Sequence, residues 1–190
     1  LAQSYVTKYG KEIDGLILSG TQGRQGVLLK VATLLAKLEM QKKGAKAPSK
    51  FLNKLVFGQY NKAFHPARTD FDWLSRDEQE VDKYLNDPYC GGIPSAGLFY
   101  DLFRGIQEMH RIENMRQIPI NLKTYLIWGE KDPVGSEGKS IYKLIKEYKR
   151  LGLKNLSYKC YIDGRHEMLN ETNRAEVTDD VINWLDQNFY

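Results

Sequence analysis

The sequence predicts an α/β protein built on a parallel sheet and interrupted by a long helical insertion. Three observations point there. Short apolar runs of strand length end at Gly or Asp-Gly, amphipathic helical patterns follow the second and third runs, and nearly a hundred residues between the first and second show helical spacing without a convincing strand.

The first run, Asp14-Gly-Leu-Ile-Leu-Ser19, is ended by Gly20 and reads as a strand buried on both faces. The second, Thr124 to Trp128, is stopped by Gly129; the third, Leu156 to Ile162, is stopped by Asp163-Gly164. Between them, residues 137–151 place Ile141, Leu144, Ile145, Tyr148 and Leu151 at spacings of three and four, a helix ending at Gly152. Residues 174–189 repeat the pattern with Val177, Val181, Ile182, Leu185 and Phe189. Strand, helix, strand, helix is a right-handed parallel α/β unit.

Residues 21–118 form the insertion. Its expected pieces are a helix over 24–43 with Val27, Val31, Leu34, Leu35 and Leu38 on one face, another near 48–60, a short one starting at Ser75, and one over 95–115. Ser75-Arg-Asp-Glu78 has the form of a capping box. A helical segment between two parallel strands sits where a lid belongs, because ligands bind beyond the C-terminal strand ends. The chain thus divides into a core, residues 1–20 and 119–190, and a lid, residues 21–118. The aromatics between Phe51 and Phe103 fit the interior of a lid closing over an apolar substrate.

Apolar residues make up 42% of the chain and no stretch approaches the ~18 uninterrupted apolar residues of a membrane span, so a soluble protein is expected. Cys90 and Cys160 lie far apart without a CxxC pattern, which suggests neither a disulfide framework nor a zinc site and favours a reduced, cytoplasmic setting. The net charge of +4 is too modest to argue for nucleic acid. Its placement is uneven: residues 24–68 hold ten Lys/Arg against the single acid Glu39, whereas residues 69–90 hold seven acids against Arg76 and Lys83. Solvated helix faces account for this, and so does a basic surface that attracts anionic lipid or substrate. Leu1-Ala-Gln-Ser-Tyr-Val6 resembles the middle of a helix, so a preceding segment is expected.

Two strand-end loops carry the candidate chemistry. Asp132 follows the second predicted strand with Pro133 behind it, and His166 follows the third in Gly164-Arg165-His166-Glu167. Both side chains would emerge on one sheet edge, close enough for a hydrogen bond between them. A carboxylate in that position holds an imidazole in one tautomer, while the other ring nitrogen accepts a proton from a serine nucleophile. Each residue also has a plain alternative. Asp-Pro is common in turns, and Glu130, Asp163 and Glu167 are substitutes for the acid. His65 and His110 read as structural.

Leu126-Ile-Trp-Gly-Glu-Lys-Asp132-Pro133 and Gly164-Arg-His-Glu-Met-Leu-Asn-Glu171 resemble the acid and histidine segments of the α/β-hydrolases grouped with monoacylglycerol lipases, lysophospholipases and S33 serine aminopeptidases. Phe71-Asp-Trp-Leu-Ser-Arg-Asp77 and Asp87-Pro-Tyr-Cys-Gly91 resemble the lid of bacterial members. The resemblance implies the C-terminal part of such a parallel sheet with a helical lid, Asp132 as triad acid and His166 as general base. It also implies hydrolysis of lipid-like or small esters with no metal or organic cofactor. No Gly-x-Ser-x-Gly occurs in the 190 residues; in the family that elbow and the oxyanion loop lie N-terminal to the matching region, so the chain by itself is expected to be inactive. Two other readings stand beside this one. Gly20, Gly23 and Gly26 follow a strand and precede a helix, as in a dinucleotide loop, but their spacing is not Gly-x-Gly-x-x-Gly. A non-catalytic module that dimerises through an exposed sheet edge is the second. Expected partners are therefore an ester substrate, a membrane surface touched through the basic lid and a second copy, and not nucleic acid.

Overall fold

The computed structural model describes all 190 residues. The centre of the fold is strand β2 (Lys123–Gly129), paired in parallel on one side with β1 (Gly15–Ser19) and on the other with β3 (Leu156–Tyr161). Alternate side chains of β2 point to opposite faces, and this divides the core in two. Leu126 and Trp128 join Leu16 and Leu18 of β1 under helices α1 (Ala2–Tyr9) and α7 (Lys139–Arg150), where Ile141, Leu144, Ile145 and Tyr148 are buried. Tyr125 and Ile127 face the other way, onto Val177 and Trp184 of α8 (Arg174–Phe189). The α7 periodicity thus buries the face expected of it, and the helix stops at Gly152, whose φ is +93°. On α8, Trp184 takes the core position while Ile182 faces solvent. β1 lies at one end of this three-stranded sheet, with Leu16 and Leu18 buried in the first core and the half-buried Ile17 packed against the second, so both of its faces are covered.

Between β1 and β2 the chain forms α2 (Val27–Lys43), α3 (Lys50–Phe57), α4 (Glu78–Asn86), α5 (Ala96–Met109) and α6 (Ile112–Met115). A separate apolar cluster holds α2, α3 and α5 together, with Leu29, Ala36, Leu52, Ala96, Phe99 and Phe103 at its centre, whereas Met115 of α6 belongs to the core under α1 and α7. Two sequence expectations are corrected here. The face of α2 that packs on α5 carries Leu29 and Ala36, whereas Val27, Val31, Leu34 and Leu38 lie exposed on the opposite side. The helix is apolar on two sides, and the small Ala36 allows close approach to α5, so tertiary packing selected the other stripe. The Ser75 capping box does not form either. Asp77 is the N-cap, accepting from the Gln79 N–H, while the Ser75 hydroxyl donates to the Asn170 carbonyl 95 residues away.

The helix expected over 95–115 breaks at His110, which is buried; its Nε2–H donates to Gln3 Oε1 at 3.0 Å, and its Nδ1 has no partner. Gln3 in turn donates to Thr21 Oγ1 (2.5 Å) and to the Gln22 carbonyl, which ties α1 and α5 to the loop after β1. Burial pushes the His110 imidazole down to about 4. The unfolded chain binds a proton there below roughly pH 6.5 and the folded chain does not, so stability is full above that pH and falls by about 3 kcal/mol as pH drops to about 4. Urea denaturation at a series of pH values checks this, and a His110→Gln variant loses that part of the slope. No helix is long and apolar enough to cross a membrane.

Candidate active site

The ends of β2 and β3 touch through their backbones. Any side chain at Gly129 would overlap the carbonyl oxygens of Gly164 and Arg165, so glycine there is what permits the approach. The Glu130 N–H donates to the Tyr161 carbonyl at 2.9 Å and the Lys131 N–H to the Gly164 carbonyl at 2.8 Å. The turn that follows buries Asp132 completely, with one carboxylate oxygen accepting the Val134 N–H at 2.9 Å.

His166 Nδ1 lies 3.1 Å from both oxygens of Asp132. The carboxylate accepts, so Nδ1 carries the proton and Nε2 presents its lone pair. Nε2 makes no hydrogen bond within the chain. The ring is held on three sides. Trp73 lies with its centroid 5.3 Å away, the His166 and Glu167 N–H groups donate to the Trp73 and Leu74 carbonyls, and Gly20 backs the imidazole. A Cβ on Gly20, whose φ is +55°, would come within 2.7 Å of the His166 carbonyl, and one on Gly23 would overlap the Ser140 carbonyl. Two of the three glycines that suggested a dinucleotide loop therefore make room for protein packing.

The His166 ring lines a cavity of about 490 Å³ whose other walls are chiefly apolar, including Leu29, Phe57, Trp73, Phe103 and Val134. Tyr60 stands in the same wall against Trp73; burial, and secondarily the charge of Asp132, raise its phenol above the ordinary range. Ser136 also lines this cavity and makes no hydrogen bond to His166. A second cavity, about 730 Å³, runs along the unpaired edge of β1 past Gly20 and Thr21 and shares Gln22, Leu102, Ile106 and Val134 with the first.

Of the substitute acids, Glu130 accepts from the Asp163 N–H and pairs with Lys131, and Glu167 accepts from the Asn170 amide; neither reaches His166. His110 sits in the interior, away from the pair. Sequence reading missed Glu171. It is fully buried and accepts the backbone N–H groups of Arg165, Arg76 and Thr172, together with Arg76 Nε at 2.8 Å. Arg165, next to His166, lies over the Phe64 ring and donates to the Asp72 and Ser75 carbonyls. The His166 loop is thereby fastened to residues 72–76. Spacing carries no signal of a pairing across 95 residues, so only the fold shows it. A Glu171→Ala change strips three backbone donors and a guanidinium of their acceptor and should cost about 3–5 kcal/mol. The check is the midpoint of urea denaturation; Glu171→Gln, which keeps an acceptor oxygen, should lose less.

Comparison with known proteins agrees with this architecture. The model of the family described as serine aminopeptidase, S33, matches residues 1–173. A highly thermostable carboxyl esterase from Bacillus coagulans, solved with glycerol, is similar over 100% of this chain and 61% of its own, at 25% identity and a TM-score of 0.85. A monoacylglycerol lipase from Paleococcus ferrophilus (17% identity, TM-score 0.67) covers 98% of this chain and 63% of its own. A soluble variant of the Saccharomyces cerevisiae monoglyceride lipase, with a substrate analog (18%, 0.69), covers 98% and 61%. The chain thus spans less than two thirds of the length of these structures. No curated protein sequence matches it. Parallel sheet, helical layer and family match together place this chain in the S33 serine aminopeptidase family of α/β-hydrolases.

Proposed function

We propose that this chain supplies the acid and base of a carboxylic ester hydrolase of the lysophospholipase or monoacylglycerol lipase kind. The observation that carries the reading is the His166–Asp132 pair: Nδ1 is engaged by a buried carboxylate, and Nε2 is unbonded on the wall of an apolar cavity. In this reading Nε2 takes the proton of an attacking serine and returns it to the leaving alcohol, while Asp132 fixes the tautomer and stabilises the imidazolium. The serine and oxyanion donors come from outside residues 1–190, residues 21–118 act as the lid, and the apolar cavity receives the acyl chain. Two unpaired cysteines are in keeping with a cytoplasmic enzyme.

Labelling with a fluorophosphonate probe tests the assignment. The 190-residue chain should stay unlabelled, and the chain joined to a segment bearing a Gly-x-Ser-x-Gly elbow should label and hydrolyse p-nitrophenyl esters. Labelling of the 190-residue chain that disappears in Ser136→Ala would instead make Ser136 the nucleophile. A stable dimer without turnover after the elbow is restored would favour the non-catalytic module.

A further inference from the structure

The hydrogen bond to Asp132 does not by itself fix the direction of the His166 ring. Nδ1 sits 3.1 Å from both carboxylate oxygens, so the imidazole can pivot about that contact, and where Nε2 points is left to whatever packs on the ring. Two groups do so. The backbone of Gly20 leaves no room for a Cβ beside Nδ1 and Cε1, and the indole of Trp73 lies with its centroid 5.3 Å from the imidazole, tilted by 42°. Of Asp132, Gly20 and Trp73, only Trp73 is also a wall of the apolar cavity that the His166 ring lines. Trp73 is 7% exposed and held at both ends of its main chain. Its N–H donates to Asn61 Oδ1 at 2.9 Å, and its carbonyl accepts the His166 N–H at 3.3 Å.

The same indole meets the aromatic wall of the cavity. The Tyr60 ring stands edge-on to it at 5.0 Å and the Phe57 ring is stacked with it at 6.3 Å, and both line that cavity. Tyr60 and Asn61 are neighbours in one short helix, Tyr60–Phe64, so a single turn of chain supplies both the ring and the amide that hold Trp73. An apolar chain in the cavity would pack on Phe57, Tyr60 and Trp73 together. Close-packed rings do not shift one at a time, because a protein interior leaves no gap for the movement. Binding energy from the remote part of a substrate then restrains the indole, and the indole restrains the imidazole. Under that arrangement a distant contact raises kcat, whereas a wall that merely bound the chain would act on KM alone.

We infer that Trp73 is a positioning residue through which an apolar acyl chain in the cavity orients His166. This rests on the proposed ester-hydrolase reading of the pair and names the group that makes turnover depend on the acyl chain. The experiment compares p-nitrophenyl acetate with p-nitrophenyl octanoate, using the chain joined to a segment bearing a Gly-x-Ser-x-Gly elbow. In the wild type kcat should be about tenfold higher for the octanoate, in addition to a lower KM. Trp73→Leu, apolar but without a flat face for the imidazole, should lower kcat on the order of 10²-fold for the octanoate and about tenfold for the acetate. The two kcat values then become equal, while KM stays lower for the octanoate. Trp73→Phe, which returns a flat ring, should restore the difference. Equal fractional losses for the two esters, or a change confined to KM, overturn the inference. So does a wild type whose kcat is the same for both, a result that needs no variant. Proton NMR of the 190-residue chain reads the positioning without turnover: the deshielded Nδ1 proton should broaden through exchange with water in Trp73→Leu and sharpen again in Trp73→Phe, with melting temperatures showing both folded. An Nδ1 signal untouched by Trp73→Leu also overturns the inference. If the joined chain turns over no ester while the Nδ1 signal responds in this way, the hydrolase reading fails and the positioning of His166 by Trp73 stands.

Discussion

Replacing His166 with alanine should lower kcat for p-nitrophenyl esters on the order of 10⁵-fold, once the nucleophile segment is present, with little change in KM. The imidazole is the one group of the chain that presents a free lone pair beside a buried carboxylate. Without it a serine hydroxyl has no base, and the leaving alcohol has no acid. What remains is substrate binding and whatever oxyanion stabilisation the other segment provides. Because His166 occupies only part of a chiefly apolar cavity wall, ground-state binding should survive, which is why the loss falls on kcat. Steady-state kinetics on the wild type and variant, with melting temperatures to show that the fold is kept, decide the matter. Turnover within tenfold of wild type would remove His166 from the mechanism.

Asp132→Asn should lower kcat roughly 10⁴-fold through a different cause. The amide has nearly the same shape, and its oxygen can still accept the Val134 N–H that Asp132 accepts at 2.9 Å. Its nitrogen, however, is a donor, so facing Nδ1 it favours the tautomer in which Nδ1 is unprotonated and Nε2 carries the proton. The base would then point its N–H at the serine. The negative charge that stabilises the imidazolium disappears as well. Proton NMR supplies a signature independent of turnover: a strongly deshielded Nδ1 proton in the wild type, absent in Asp132→Asn. Retention of both signal and turnover would shift the acid role to another carboxylate, although Glu130 and Glu167 make no contact with His166.

The fold was legible where a local pattern and a global requirement coincide. The run from Thr124 to Trp128 read as a parallel strand because it is apolar and of strand length, and the structure places Leu126 and Trp128 in one core and Tyr125 and Ile127 in the other. Spacings of three and four on α7 buried the expected residues because a single apolar stripe leaves a helix one way to pack. On α2 two stripes existed, and periodicity could not rank them. At Ser75 the local capping pattern was present, but the helix starts two residues later on Asp77, and the Ser75 hydroxyl accepts the Asp77 N–H while donating to the Asn170 carbonyl.

The sequence by itself determined the strand and helix types, the parallel strand-helix-strand-helix pattern, and the two loops bearing Asp132 and His166, since all of these depend on local patterns along the chain. Only the tertiary structure decided that the two side chains meet at 3.1 Å, that Glu171 fastens the His166 loop to Arg76, and which face of α2 is left bare. Those outcomes depend on the mutual approach of segments tens of residues apart, governed by side-chain volume at places such as Gly129, Gly20 and Ala36. Spacing along a chain does not encode such distances.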